Sequence, residues 1–208
     1  MGMRTHYFQI VSVLLLVLSL IAFSDNLITD VEQESNSDPK FIIHGLLMFA
    51  WFIIFVVQTN FIRNGNYKAH IKWGIAGILT AIGVFLSTVY VFIAVYKGWD
   101  ALPYFAKANR FFMLSFAVLV VLGYLNRQNA AKHKRLIYMA SLLILEPILS
   151  RVTGNLYIEN VEAFIAIVWN GLFISLFVYD WVTLRIIHKI TWLGFVWFYI
   201  VWAISLLT

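Results

Sequence analysis

Only 12% of the 208 residues are charged and 62% are hydrophobic, whereas about a quarter of the residues of a soluble domain are charged. Such a chain cannot cover its apolar surface with polar groups, so its solvent must be a lipid bilayer. It contains no cysteine, which excludes disulfides, thiolate metal sites and catalytic thiols. The net charge of +5 does not indicate nucleic acid as a partner, because the charges lie at the ends of apolar runs.

Seven apolar segments follow one another along the chain. They are Tyr7–Ser24, Phe41–Phe61, Ile71–Lys97, Arg110–Asn126, Leu136–Gly154, Val161–Arg185 and Thr191–Leu207. A membrane span needs about 20 apolar residues, and in lipid it must be a helix because every backbone amide has to be bonded within it. We therefore predict an all-α, polytopic transmembrane helical bundle of about seven helices, in which residues 1–208 form a single domain.

The basic residues predict the orientation of this bundle. One set of helix ends carries ten of them: Arg4, Arg63, Lys68, Lys72, Arg127, Lys132, Lys134, Arg135, Arg185 and Lys189. The other set carries five: Lys40, Lys97, Lys107, Arg110 and Arg151. Cytoplasmic loops carry the excess of Lys and Arg, so the N-terminus is predicted inside and the C-terminus outside. This arrangement is typical of a multi-pass protein of the bacterial inner (plasma) membrane.

The loops limit where a function can reside. The longest of them, residues 25–40, is acidic and predicted to be outside, and no loop is long enough to fold as a domain. Any function must therefore lie within the membrane or at its faces. The sequence has no phosphate-binding glycine loop, paired-histidine zinc motif or nucleophile elbow, so it leaves open whether the protein is an enzyme.

The first segment also has the features of a signal peptide. A basic residue precedes a long apolar run that ends at Ala22-x-Ser24, a pattern typical of a cleavage site. The run is long for a signal peptide, which favours a retained helix. Whether this helix is cleaved stays open at the level of the sequence.

Two polar residues share one face of the second segment. His44 and Gln58 lie on a stripe with Met48, Trp51 and Phe55, because steps of three and four return to the same face of a helix. The two are 14 residues apart, or about 21 Å along a helix, so they cannot share a site. Each is either a hydrogen-bonding contact to a neighbouring helix or part of a functional site.

A glutamate and a proline interrupt the fifth segment. Glu146 lies 11 residues beyond Arg135, about 16 Å into the membrane, where a bare carboxylate costs at least about 2.5 kcal/mol. We expect it to be protonated, paired or exposed to a wet cavity. Pro147 cannot donate to the carbonyl of Leu143, so the helix should kink there.

Two further polar residues are predicted near this glutamate. Asn170 on the sixth segment lies at a similar depth, and Arg151 lies about one turn further out, within reach of Glu146 or Glu162. One interpretation is a structural network of Glu146, Arg151 and Asn170 that locks two helices together. The other is a substrate or proton site, because ionisable residues at membrane depth are functional candidates.

Two histidines open helices on the predicted cytoplasmic side. His70 begins the third segment and His133 begins the fifth, each with lysines close by. One interpretation is that they are interfacial residues among basic side chains that face anionic headgroups. The other is that they face each other as ligands of a metal or haem iron, since imidazole is the commonest ligand of both.

The stretches "HGLLMFAWFIIFVVQTNFIRNGNYKAHIKWGIAG", "HKRLIYMASLLILEPILSR" and "WNGLFISLFVYD" resemble a family of uncharacterised bacterial integral membrane proteins with histidine-led helices. The match covers about Phe41 to Asp180. The matching positions are His44, Gln58, Arg63, His70, Gly74, His133, Arg135, Arg151, Trp169, Asn170 and Asp180. The resemblance implies no established activity.

Part of the chain is also distantly similar to membrane cytochromes of the b561 kind. In these, histidines two helices apart at the same depth hold haem, and this resemblance implies that His70 and His133 are ligands of one haem b. No second haem is implied, because the fourth segment has only Asn109 and Arg110 where a partner for His44 would be needed.

Three hypotheses about function follow. The leading one is a membrane redox protein with haem b on His70 and His133, and an outer site for a quinone or other small hydrophobic molecule at His44 and Arg110. The second is a small-molecule or proton-coupled transporter, because broken helices at mid-membrane are where carriers bind substrate; no internal repeat supports it. The third is a non-catalytic accessory subunit or lipid-binding scaffold. No metal site is predicted, and the sequence leaves the oligomeric state and membership of a larger complex open.

Overall fold

The computed structural model describes residues 2–208, with side chains from His6 onward, and these residues form an all-α protein without a strand. Arg4, which contributes to the predicted orientation, has its side chain outside the described residues. The eight helices are α1 Gly2–Ala22, α2 Pro39–Arg63, α3 Tyr67–Ala94, α4 Tyr104–Leu125, α5 Ala130–Leu143, α6 Glu146–Asn155, α7 Val161–Leu184 and α8 Lys189–Leu207. A π-helical turn, Asp25–Thr29, and a 3-10 turn, Glu34–Asn36, lie between α1 and α2.

Local sequence accounts for several helix ends. α2 begins at Pro39, and the side chain of Asp38 accepts a hydrogen bond from the amide of Lys40 at 3.0 Å. A capping aspartate followed by proline is a favourable start for a helix. Asn129 caps α5 in the same way, at 3.1 Å from the amide of Lys132. The capped starts of α2 and α5 thus lie in polar stretches that precede apolar runs.

Five helices are long and apolar enough to cross a membrane: α2, α3, α4, α7 and α8. α5 and α6 together form a sixth candidate span with a break between them. In these five helices only 17% to 39% of the apolar 18-residue stretch is buried inside the protein, so most of its surface is available to lipid. The coarse prediction of an all-α protein with long apolar helices is thereby confirmed, and five or six of these among the described residues could span a membrane.

The predicted kink in the fifth segment is confirmed as a complete break. α5 ends at Leu143 and α6 begins at Glu146, directly before Pro147. The missing amide of the proline and the clash of its ring with the preceding turn explain why one helix does not continue through this point.

The chain forms two compact units. The first comprises Met1–Ala94 and Ile148–Val161, and the second comprises Val95–Pro147 and Glu162–Thr208. In the first unit, α1 and α2 are joined by hydroxyl and amide groups. Ser12 Oγ lies 2.8 Å from Thr59 Oγ1, which donates to Gln9 Oε1 at 3.1 Å. Short polar side chains of this kind hold helices together in lipid.

One of the three glycines in α3 explains its close approach to α2. A methyl group at Gly83 would come within 2.7 Å of a side-chain carbon of Leu47, so a side chain there displaces its neighbour. At Gly77 the nearest atom would be at an ordinary 3.5 Å, and at Gly74 no described atom lies within 4 Å. Of the three, Gly83 is thus the one at which a side chain would press on the end of a side chain of α2.

Aromatic rings fill the core of the second unit. The rings of Phe112 on α4 and Phe198 on α8 are stacked with centroids 5.6 Å apart, and Trp169 of α7 meets Phe198 edge to face at 4.6 Å. Pairs with these geometries are favourable beyond the area that they bury. Trp169 is 1% exposed, so this cluster fixes α7 firmly within the second unit.

Candidate functional site

The break between α5 and α6 leaves backbone carbonyls that buried side chains must bond. The indole nitrogen of Trp169 donates to the carbonyl oxygen of Leu142 at 2.9 Å, and the amide of Leu145 donates to the same oxygen at 3.2 Å. Buried carbonyls without a partner are costly in lipid. Trp169 therefore stabilises the broken geometry from a neighbouring helix.

Glu146 lies directly after this break and is buried, with 6% of its surface exposed. Its Oε2 accepts a hydrogen bond from Nδ2 of Asn109 on α4 at 2.6 Å. The asparagine supplies a donor but no charge. The carboxyl group therefore occupies an apolar interior with one neutral partner, a position in which gain and loss of a proton change its energy strongly.

Arg151 has other partners than the sequence analysis predicts. Its Nη1 donates to Oδ1 of Asn26 at 2.5 Å and lies 3.8 Å from Oδ1 of Asp25. Its guanidinium also lies 5.0 Å from the ring centroid of Phe23. The pairing predicted with Glu146 assumes one continuous helix, and the break changes the direction in which residues after Pro147 project.

Asn170 likewise does not join Glu146. Its Oδ1 accepts a hydrogen bond from the hydroxyl of Tyr199 at 2.6 Å, and its Nδ2 donates to the carbonyl of Ala166 at 2.9 Å. Equal depth along two helices does not place side chains on facing surfaces, because the rotation of each helix decides which residues meet. Asn109 thus takes the place that the sequence analysis gives to Asn170.

A buried ion pair in the second unit was not predicted. Arg135 of α5 donates through Nε to Oδ1 of Asp180 on α7 at 2.9 Å, and its Nη2 forms a second bond to the same oxygen. The two side chains are 1% and 0% exposed. Thr191 of α8 donates to Oδ2 of Asp180 at 2.6 Å. The aspartate therefore joins three helices, and its satisfied oxygens make this cluster a structural centre.

A signal for this pair was present in the sequence. Arg135 opens the fifth segment on the predicted cytoplasmic side, and Asp180 lies near the end of the sixth, which returns to the same side. Two opposite charges at one depth within apolar segments commonly pair. Arg135 is counted instead among the ten basic residues of the predicted cytoplasmic side, so its pairing with Asp180 was not predicted.

The loop between α7 and α8 is tied to this cluster through His188. The amide of His188 donates to Oδ2 of Asp180 at 3.0 Å, and its Nδ1 accepts from the amide of Ile190 at 3.2 Å, which caps α8. Partial burial lowers the pKa of His188 below its usual value, and the charge of Arg135 lowers it further. The neutral imidazole is the form that can accept the capping hydrogen bond.

The two proposed haem ligands belong to different compact units. His133 in the second unit is half-buried, and its Nδ1 lies 2.8 Å from the carbonyl oxygen of Gly123. Since a carbonyl only accepts, Nδ1 carries a proton, and in a neutral imidazole this leaves the lone pair on Nε2. His70 in the first unit is also half-buried, near the start of α3.

His44 bonds to a neighbouring helix within the first unit. Its Nδ1 lies 3.2 Å from Oγ of Ser87 and 3.4 Å from Oγ1 of Thr88 on α3. This is the helix-to-helix contact that the sequence analysis offers as the alternative to a ligand site. Gln58 differs, because its buried amide atoms have no hydrogen-bond partner within the described part of the chain.

Arg110 lies near the start of α4. Its Nη1 donates to the carbonyl of Ala106 at 2.8 Å, and its guanidinium carbon lies 5.9 Å from the ring centroid of Tyr96. These contacts hold the side chain along α4 and against the preceding connection. They place a positive charge near one end of a candidate span.

Fold and site define an all-α protein with five or six candidate membrane spans and buried charged groups at a helix break and at a three-helix junction. Among the described residues, no group of three His, Asp or Glu side chains is close enough to hold a metal ion. No protein-family model, no curated protein and no solved structure matches the chain.

Proposed function

We propose that this protein is a proton-coupled carrier of a small molecule, in which the carboxyl group of Glu146 binds and releases the proton. The observation that carries this proposal is the break between α5 and α6, which leaves a buried glutamate at the interruption. Discontinuous helices within the membrane are a recurring feature of substrate and ion sites in secondary transporters.

The contacts of Glu146 favour proton exchange over a structural ion pair. Its hydrogen-bond partner is the neutral amide of Asn109, and the described ion pairs do not include it. In an apolar interior, a carboxylate without a counter-charge becomes neutral by taking up a proton. Arg135 and Asp180, by contrast, neutralise each other and have their hydrogen bonds satisfied.

Infrared difference spectroscopy in lipid tests this assignment. Between acid and alkaline buffer, we expect a protonated carboxyl band to appear in the parent, to vanish in Glu146→Gln and to persist in Asp100→Asn. Asp100 is exposed and lies in the same unit, so it is the matched control. An unchanged band in Glu146→Gln would refute the proton site.

Transport itself is tested in proteoliposomes with a pH gradient. From a panel of labelled solutes, one is expected to accumulate with the parent and with Asp100→Asn but not with Glu146→Gln. Melting curves of the three proteins establish that each is folded. Accumulation by Glu146→Gln at the rate of the parent would show that the carrier function does not use this carboxyl group.

We further propose that the helices form one transmembrane domain of seven spans in the bacterial inner membrane, with the N-terminus inside. This count adds α1 and the broken pair α5–α6 to the five long apolar helices. The ten-to-five division of basic residues between the two sets of helix ends supports the orientation.

A membrane redox protein with haem b is the second candidate, and a hydrogen bond favours it. The bond from Nδ1 of His133 to the carbonyl of Gly123 fixes the tautomer in which Nε2 can bind iron, as the outer hydrogen bonds of ligating histidines do. His70 is the proposed second ligand, in line with the resemblance to b561-type cytochromes.

An absorption spectrum decides this second candidate. Protein purified from haem-supplied cells should show sharp Soret and α bands on reduction, and His133→Ala should lose both. His6→Ala replaces an exposed histidine and should keep them. A folded but colourless parent protein would eliminate haem binding.

A further inference from the structure

We propose that Asn109 is a positioning residue that sets the pH at which the carrier releases its proton, because its amide holds the ionised carboxylate of Glu146. This inference rests on the carrier function proposed above and adds a second residue to its proton site. Both residues belong to the second compact unit.

The hydrogen bond between the two residues is short, and its acceptor is buried. Nδ2 of Asn109 donates to Oε2 of Glu146 at 2.6 Å, and the glutamate is 6% exposed. A hydrogen bond to an ionised group is stronger than one between neutral groups, and a donor to a carboxylate favours the ionised form over the neutral acid. The amide of Asn109 therefore opposes the effect of an apolar interior, which favours the neutral acid.

The donor is held in place by a well-packed part of α4. Ala108, directly before it, is fully buried, and Phe112, one turn further on, is 1% exposed and stacks on Phe198 of α8. α4 also lies close to α5, since a methyl group at Gly123 would come within 2.7 Å of a side-chain carbon of Ile137. A functional group on a packed helix is positioned more precisely than one on a loop, so the amide stays directed at the carboxyl group.

Charged and titratable groups of the neighbouring helices have described contacts of their own. These contacts are Arg110 with the carbonyl of Ala106, Lys107 with the ring of Trp99, Lys134 with Tyr179, Arg135 with Asp180, Arg151 with Asn26, and Tyr104 with Glu162. The charge of Glu146 also acts on Tyr104, but the hydroxyl of this tyrosine donates to Glu162 at 2.8 Å. In the described part of the chain, the side chain that donates to Glu146 is thus Asn109.

An uncharged donor suits a carboxyl group that exchanges a proton. A cation in the same place would keep the carboxylate ionised and paired, as Arg135 is paired with Asp180. An apolar neighbour would leave the group protonated, because a bare carboxylate is costly in an apolar interior. An amide lies between these cases, and its oxygen can accept from the protonated acid, so one residue can bond Glu146 before and after proton release.

An infrared titration of the full-length protein in lipid tests this role. The carboxyl band that disappears in Glu146→Gln is followed over a series of pH values, and its midpoint is compared between variants. Asn109→Leu removes the donor at nearly the same volume, and Asn109→Gln keeps an amide. Asn170→Leu makes the same chemical change in the same unit, at a residue that bonds Tyr199, and is the matched control.

In Asn109→Leu we expect the midpoint of the band to rise by about one to two pH units, because the ionised form loses a hydrogen bond to a charged group. Asn109→Gln should reverse most of this shift, and Asn170→Leu should titrate like the parent. Solute accumulation by Asn109→Leu should be slow at neutral internal pH and should recover at alkaline internal pH. A variant that is merely misfolded would not recover in this way.

The outcomes separate this inference from the carrier proposal. A midpoint in Asn109→Leu equal to that of the parent, or an equal shift in Asn170→Leu, overturns the role of Asn109 and leaves the carrier proposal standing. A parent protein without any band that depends on Glu146 overturns the carrier proposal, and this inference with it. If Asn109→Leu does not fold, Asn109→Ala replaces it under the same criteria.

Discussion

Two buried acidic residues in this chain differ in their partners. Asp180 is paired with Arg135 and is also bonded by Thr191 and by a backbone amide. Glu146 has one neutral donor. Because an unmatched charge in an apolar interior is unstable, the first arrangement is suited to a fixed structural role. The second is suited to a group that exchanges a proton.

Losing one partner of the Arg135–Asp180 ion pair should destabilise the protein more than losing both. Asp180→Ala leaves the arginine buried without a counter-charge, so we expect a loss of about 3–5 kcal/mol in the free energy of unfolding. Arg135→Met combined with Asp180→Leu should cost less than either single change, because no bare charge remains. Reversible unfolding in mixed micelles measures this, with Lys132→Met on the exposed side of α5 as the control. Additive losses in the double variant would contradict the buried pair.

His188 should make stability depend on pH. Its folded-state pKa is lowered by burial and by Arg135, so below its unfolded value of about 6.5 the unfolded chain binds more protons than the folded one. The stabilisation is therefore complete above about pH 6.5 and is lost as the pH falls toward the lowered folded pKa.

Melting temperatures across this pH range test the role of His188. His188→Asn keeps a side-chain acceptor for the start of α8 and should flatten the profile. His6→Asn, at an exposed site, should leave the profile unchanged. A profile in His188→Asn that matches the parent would assign the dependence to another group.

At the scale of helices, the break between α5 and α6 depends on partners outside the segment. Pro147 removes one backbone donor, but a proline alone permits several kinked geometries. The indole of Trp169 and the amide of Leu145 bond the carbonyl of Leu142. These bonds stabilise the particular break that leaves Glu146 beside Asn109.

Trp169→Phe on α7 should destabilise the break between α5 and α6. A matched change elsewhere on α7 should not. The Trp169→Phe variant removes the indole donor while the carbonyl of Leu142 keeps the amide of Leu145, so we expect a loss of about 0.5–1.5 kcal/mol, the net contribution of one hydrogen bond. Trp181→Phe, at a residue that is 58% exposed on α7, should be nearly neutral. Unfolding of both variants in detergent provides the comparison. Equal stability of Trp169→Phe and Trp181→Phe would show that the indole hydrogen bond is dispensable.

The α2–α3 contact should tolerate bulk at one glycine and not at another. Gly83→Val forces a side chain within 2.7 Å of Leu47, so we expect a loss of about 1–3 kcal/mol from overpacking. Gly74→Val meets no described atom within 4 Å and serves as the control, because it makes the same chemical change on the same helix. If the two variants have the same melting temperature, α2 does not approach α3 at Gly83 as closely as described.

At the scale of the whole molecule, the exterior is unsuited to water. Ile71 and Ile93 of α3 are 74% and 69% exposed, and Leu193 of α8 is 69% exposed. Large contiguous apolar surfaces of this kind are rare on soluble proteins and are expected where side chains face lipid. The exposed apolar surface and the composition are thus both typical of a membrane protein.

Reporter fusions should establish the number of spans and the orientation. A reporter after Thr208 should face the periplasm, and one inserted in the 126–132 connection should face the cytoplasm, because the second site lies among the ten basic residues of the predicted inner side. A fusion truncated after residue 98 would add a third, periplasmic position. Reporters at Thr208 and at 126–132 that face the same side would exclude three spans after this connection and so overturn the count of seven.

Local and composition-based features of this protein were predictable from sequence. Its membrane class follows from apolar segment length and scarce charge, and the interruption before Pro147 follows from the chemistry of one residue. The choice of Glu146 as a candidate functional residue also follows from its depth in an apolar run. None of these conclusions requires knowing which helices are neighbours.

Only the tertiary structure decided which residues meet. It gives Glu146 the amide of Asn109 instead of Asn170, and it joins Arg135 to Asp180 across 45 residues of chain. Such pairings depend on how each helix is rotated and on where a break redirects the chain. Rotation is set by packing of whole apolar surfaces, and in helices that are apolar on nearly every side the sequence pattern does not mark which face turns inward.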